Sequence, residues 1–112
     1  MTYIEIATML TSLNLPVAYD HFTDATATAP PFIVFFYDGI DDVYADNTNY
    51  QRIVTLNIEL YTDNKDFTNE AALEAALTSN ALTYTKEEAY IDSEKMFQIS
   101  YETEVLITNG EG

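Results

Sequence analysis

Between positions 51 and 61 the chain alternates without a break. Val54, Leu56, Ile58 and Leu60 fall on one side, and Thr55, Asn57 and Glu59 on the other. Successive side chains of an extended strand point to opposite faces, so this period of two builds one apolar face and one polar face. Such a strand is half-buried, pairs in an antiparallel sheet, and requires something to cover its apolar side. The pattern returns over 96–107, where Phe97, Ile99, Tyr101, Val105 and Ile107 oppose Gln98, Ser100, Glu102 and Glu104. With 82–91 as its first arm, that segment predicts a hairpin. The run Phe-Ile-Val-Phe-Phe-Tyr at 32–37 is apolar throughout, as in a strand covered on both faces. Val17, Ala18 and Tyr19 make a further short strand candidate.

Two stretches carry a helical period instead. Ile6, Met9, Leu10 and Leu13 recur at i, i+3, i+4 and i+7, predicting a helix over 2–14. Thr2 followed by Glu5 is a capping-box start, and Asn14 with Pro16 ends the element. A second helix runs to about Ser79 from a cap at Asp63 or Asp66, with Leu73, Ala76 and Leu77 inward and Glu70 and Glu74 outward. The Thr/Ala/Pro-rich segment 23–31 reads as a loop. The segment 38–49, with its Asp, Gly and Asn, reads as a loop or an extended hairpin tip. The order is therefore α-β-β-β-α-β-β. It predicts an α+β fold in which two helices pack on one face of a mostly antiparallel sheet. The 112 residues make one domain, 1–112, with a frayed tail at about 108–112.

Composition limits the function. Nineteen Asp and Glu against four Lys and Arg leave a formal charge of -15. Nucleic acids and anionic membranes are held mainly by Lys and Arg, and Arg52, Lys65, Lys86 and Lys95 are too few and scattered to form such a patch. The absence of Cys removes disulfides, thiol catalysis and Cys-ligated zinc. No apolar run is long enough to span a bilayer, and the start has no basic region of the signal-peptide kind. These features predict a soluble protein of the cytoplasm whose work is binding or assembly.

No set of residues converges on a reaction. The acidic segment Asp38, Asp41, Asp42 and Asp46 has oxygen ligands suited to a hard cation, but its spacing does not fit an EF-hand loop. It reads as solvated charge guarding a strand edge. His21 stands between Asp20 and Phe22 with no identifiable partner for acid–base work. Glu87 with Glu88, and Glu102 with Glu104, read as solubilising charge. The expectation is no enzyme, no cofactor and no metal. Tyr37, Tyr44, Tyr50, Tyr84 and Tyr90 stand at strand ends or on the polar side. There they serve either as cross-strand pairs or as contact area for a partner.

Several segments together resemble a known group. They are Leu15-Pro16-Val17-Ala18-Tyr19, Pro30-Pro31-Phe32-Ile33-Val34 and Tyr44-Ala45-Asp46-Asn47, followed by Leu60-Tyr61-Thr62-Asp63-Asn64-Lys65-Asp66 and the run Glu94 to Glu102. They are similar to small head–tail joining proteins of long-tailed phages and prophages of Gram-positive bacteria, of the tail terminator or tail completion type. The resemblance runs from about Leu13 to Val105. It implies a virion protein assembled in the host cytoplasm, a homo-oligomer forming a hexameric ring of α+β subunits. That ring caps the tail tube and docks to the head–tail connector protein. It implies no catalytic motif and no direct contact with nucleic acid or membrane, and an acidic channel wall would repel passing DNA. Tyr44, Asp46, Asn47, Tyr50 and Arg52, around the acidic segment, are the expected partner-binding residues. The alternative is an acidic DNA mimic that inhibits a host nucleic-acid-binding protein. A mimic requires carboxylates spaced along one face like phosphates.

Overall fold

A computed structural model describes residues 1–22, 29–44 and 50–108, with only the backbone of 40–44 and 50–51. Its elements follow the predicted order: α1 (Tyr3–Thr11), β1 (Val17–Tyr19), β2 (Phe32–Tyr44), β3 (Tyr50–Thr62), α2 (Phe67–Ser79), β4 (Thr85–Ile91) and β5 (Met96–Ile107). The five strands form one sheet in the order β1-β2-β3-β5-β4. Strand β1 runs parallel to β2, and the other pairs are antiparallel. The fold is α+β, with two helices and a mixed, mostly antiparallel sheet.

The helix ends are set by local chemistry. Thr2 Oγ1 accepts a hydrogen bond from Glu5 N at 3.0 Å while Glu5 Oε1 accepts one from Thr2 N at 2.9 Å, completing the capping box. Helix α1 stops at Thr11, before the predicted 14, and Asn14 takes a left-handed φ of 64° just beyond it. Asp66, not Asp63, caps α2, its Oδ1 accepting from Asn69 N at 3.0 Å. At the other end Ala81 adopts φ 60°, Ala81 N donates to Thr78 O, and Leu82 N donates to Leu77 O. That is the paired closure of a Schellman motif, here with Ala where Gly is usual, and Leu82 is buried beneath it. Strand β4 begins at Thr85, three residues later than the predicted arm.

The core lies between the helices and one face of the sheet. Ile6 and Leu10 of α1, Leu73 and Leu77 of α2, Ile33, Val54, Leu56, Ile58, Leu60 and Ile99 are fully buried. The two alternating patterns therefore point the way the sequence predicts. Thr103 interrupts the apolar side of β5, and its hydroxyl is satisfied by donating to Thr83 O.

One expectation is decided between its two alternatives, and two change. The segment 38–49 is partly strand: β2 continues to Tyr44 and β3 begins at Tyr50, with Tyr44 paired to Tyr50. It is thus an extended hairpin tip, and 45–49 lie outside the described residues, as do 23–28 of the predicted loop and 109–112 of the predicted frayed tail. Ladder bonds to the strongly alternating β3 outweigh the poor strand propensity of Asp and Gly, at the cost of a register shift between Tyr37 and Gly39. Second, β2 is not sheathed on both faces. Ile33 and Phe35 are buried under the helices, while on the other side Val34 is buried but Phe32 and Phe36 are only partly so. Third, Glu70 faces inward and is 2% exposed.

Candidate functional site

The sheet offers two very different faces to chemistry. On the helix side the polar feature is an ion network joining α2 to β4. Lys65 Nζ lies 2.7 Å from Glu70 Oε2, and Lys86 Nζ lies 3.0 Å from Glu70 Oε1 and 2.6 Å from Glu74 Oε2. Glu88 also pairs with Lys65, and Tyr101 Oη donates to Glu74 Oε2 at 2.8 Å. Hydrogen bonds donated to Glu70 and Glu88 raise the Lys65 pKa, and those donated to Glu74 and Glu70 raise that of Lys86. Lys86 in turn holds the Glu74 carboxyl below its usual range, and burial raises the Tyr101 phenol. Three carboxylates share two ammonium groups here, and the network ties α2 to β4.

Among the described residues, the opposite face has no helix over it. From the registers, Phe36, Asn57, Glu102 and Thr85 form one row across it, Val34, Glu59, Ser100 and Glu87 the next, and Phe32, Tyr61, Gln98 and Ala89 a third. The third row is aromatic. Phe32 stacks on Tyr61 at 5.0 Å between centroids, and Phe22 meets Phe32 edge-on at 5.2 Å. Tyr61 Oη donates to Glu59 Oε1 at 2.8 Å and accepts from Gln98 Nε2 at 2.9 Å. Burial first, then the Glu59 contact, pushes the Tyr61 phenol up to about 12. Around these rings lies an open cleft of about 350 Å³, with Met96, Ile91 and Val34 completing its apolar floor and Asp20, His21 and Glu94 beside it.

Two sheet margins are also uncovered. Strand β4 has no strand on its outer side among the described residues, and every residue from Thr85 to Tyr90 is exposed. Strand β1 pairs only with Ile33, Val34 and Phe35, so β2 from Phe36 onward has no strand on that side among the described residues. Past the end of β4, Met1 lies along β5, its N donating to Leu106 O and its carbonyl accepting from Thr108 N.

Of the predicted partner-binding residues, Tyr44 and Tyr50 are register partners across the hairpin, and Arg52, half-buried, is the strand-register partner of Asp42 on β2 and Ile107 on β5. Asp46 and Asn47 lie outside the described residues. Among the other tyrosines, Tyr90 is 49% exposed against Phe97, and Tyr84 packs edge-on to Tyr101. Tyr37 sits between Tyr3 and Tyr19, and burial with those neighbours pushes its pKa up to about 12. Among the described residues, the His21 ring is paired only to the adjacent Asp20, at 2.9 Å. Among the described residues, no three acidic or His side chains gather as metal ligands would, and no helix is long and apolar enough to cross a membrane. Sequence reasoning missed the Phe22–Phe32–Tyr61 array. Its signal was Tyr61 itself, a large ring at a polar-side position of the β3 alternation.

Comparison with known proteins gives one line of evidence. No family profile matches the sequence, and no curated protein matches it. Among solved structures, the chain is similar to one from the virion of a native gene transfer agent particle, with a TM-score of 0.53 and 17% identity. The likeness covers 89% of this chain and 85% of that one. At that identity it establishes a shared fold across nearly the whole domain.

Proposed function

We propose that this protein is a virion structural subunit of the head–tail joining region. Its most specific form is a tail terminator that assembles as a ring, caps the tail tube and docks to the connector. The observation that carries the reading is the fold shared over 89% of the chain with a chain of a gene transfer agent virion. The sequence resemblance to phage tail completion proteins points the same way. Among the described residues the fold also leaves strand margins without a neighbouring strand, edges through which subunits of a ring can meet. The role is assembly rather than catalysis, placed in the virion and built in the host cytoplasm.

Light scattering after size exclusion, with electron microscopy of the same peak, tests this. A ring of six copies of the 12.6 kDa chain has a mass of about 76 kDa and a visible central hole. Because exposed carboxylates repel within about 8–10 Å at 0.1–0.15 M salt, the oligomer grows with salt and with protein concentration. Tyr44→Ala and Tyr50→Ala shift it toward monomer without lowering the melting temperature much. A strict monomer that blocks a DNA-binding enzyme overturns the reading in favour of the DNA mimic. Against the mimic, carboxylates are divided between the open face (Glu59, Glu87, Glu102, Glu104) and the ion network (Glu70, Glu74, Glu88).

A further inference from the structure

We infer that the cleft on the open face of the sheet is a docking site for an extended basic segment of another protein, one carrying a large apolar side chain between lysines or arginines. The inference rests on the chemistry of the cleft and stands apart from the virion reading.

The floor explains the apolar anchor. Phe32 and Tyr61 stack, Phe22 closes one side edge-on, and Met96 lies in the same cleft of about 350 Å³. Three rings and a thioether make a surface that gains by excluding water and adapts to the shape it receives. Three rings and a methionine gathered beside a charged face are the composition of an interface centre rather than of a solvated sheet.

The rim explains the charge. Asp20, Glu59 and Glu94 line the same cleft with His21, which holds Asp20 at 2.9 Å, and no Lys or Arg does. One oxygen of Glu59 is occupied by Tyr61 Oη. Glu94 is exposed, in the turn between β4 and β5, where Lys95 follows it without joining the lining. A cation entering between these carboxylates meets attraction from several sides, and the apolar floor lowers the local dielectric and strengthens it.

Charge also selects against a second copy of this chain as the occupant. Each copy carries -15, and of its four cations Lys65 and Lys86 are already engaged with Glu70, Glu74 and Glu88 on the opposite face. A copy docking here would bring mostly carboxylates to carboxylates, and juxtaposed like charges disfavour the contact. A basic segment from a different protein supplies what this face lacks.

The probe is a fluorescently labelled hexapeptide with one central Phe flanked by Lys on both sides, followed by anisotropy. Saturable binding is expected, weakening with salt, and lost when Phe is replaced by Ser or when every Lys is replaced by Glu. The double variant Glu59→Gln/Glu94→Gln keeps the acceptor for Tyr61 and should weaken binding about five- to tenfold, the sum of two modest ion contacts. The control Glu102→Gln/Glu104→Gln removes the same charge from the same face outside the cleft and should change binding less than about twofold. Equal weakening by both pairs shows attraction to net charge alone and overturns the site, as does the absence of saturable binding. A dimer whose dissociation by Met96→Lys frees the cleft overturns the choice of partner. None of these outcomes depends on whether the protein forms a ring, so the two readings fail separately.

Discussion

The two faces of this sheet are built from the same strands, yet they do opposite work. Toward the helices, Leu56, Ile58, Leu60 and Ile99 are completely buried, and even the charged Glu70 is buried, reached by two lysines that themselves stay partly exposed. On the reverse, Asn57, Glu59 and Ser100 are only half-buried, and Glu102 and Glu104 are exposed, away from the aromatic cleft. The difference teaches where stability and recognition separate. One residue's step along a strand turns a side chain from the face that holds the fold to the face available for contact.

The largest effect should come from the covered face. Leu56→Ala should cost about 2–5 kcal/mol in denaturant unfolding, since it leaves a cavity where nothing can collapse easily. Its neighbour Thr55→Ala, on the reverse, should change stability by less than about 0.5 kcal/mol. Equal costs would break the comparison. Glu70→Ala should cost about 1–3 kcal/mol, because two ammonium groups lose their shared buried acceptor while keeping Glu74 and Glu88. A neutral result would mean that the enclosed network contributes nothing net.

Tyr61→Phe tests the boundary between the faces. It removes one donor and one acceptor from a half-buried chain of bonds and should cost about 0.5–1.5 kcal/mol by thermal melt. The same variant bears on pH. The phenols of Tyr37 and Tyr61 are pushed up to about 12, and the Lys65 and Lys86 pKa values are also raised. A raised folded pKa contributes stability that is complete below the unfolded value and lost as pH rises through the folded one. Melting temperature should therefore fall from about pH 10 upward, and Tyr61→Phe should lessen that fall. Glu74, whose pKa is lowered, acts in the other direction, its contribution present above about 4.5 and lost as pH falls further.

The smallest effect belongs to the open face. Glu102→Gln/Glu104→Gln should leave stability within about 0.5 kcal/mol, with any change in the stabilising direction because self-repulsion falls. A clear loss would show that these carboxylates hold the monomer together and that the open face is structural.

Much of this was legible in the residue order because the signals are local. A period of two over 51–61 determines a two-sided strand, and Thr2 with Glu5 determines where α1 begins, since capping involves only residues three apart. The helices, the strands, their order and the covered face all follow. The spacing of Glu70, Leu73 and Leu77, at i, i+3 and i+7, even places Glu70 on the inward stripe. Its charge nevertheless predicts an outward position, because nothing local announces Lys65 and Lys86 as partners. They reach it only once α2 lies over β4. The same holds for the cleft: Phe22, Phe32, Tyr61 and Met96 are far apart in the chain and meet only through the strand order β1-β2-β3-β5-β4. Periodicity is a property of neighbours and can be read from a string of residues. Which distant residues share a burial site depends on how the strands are shuffled, and only the tertiary structure decides that.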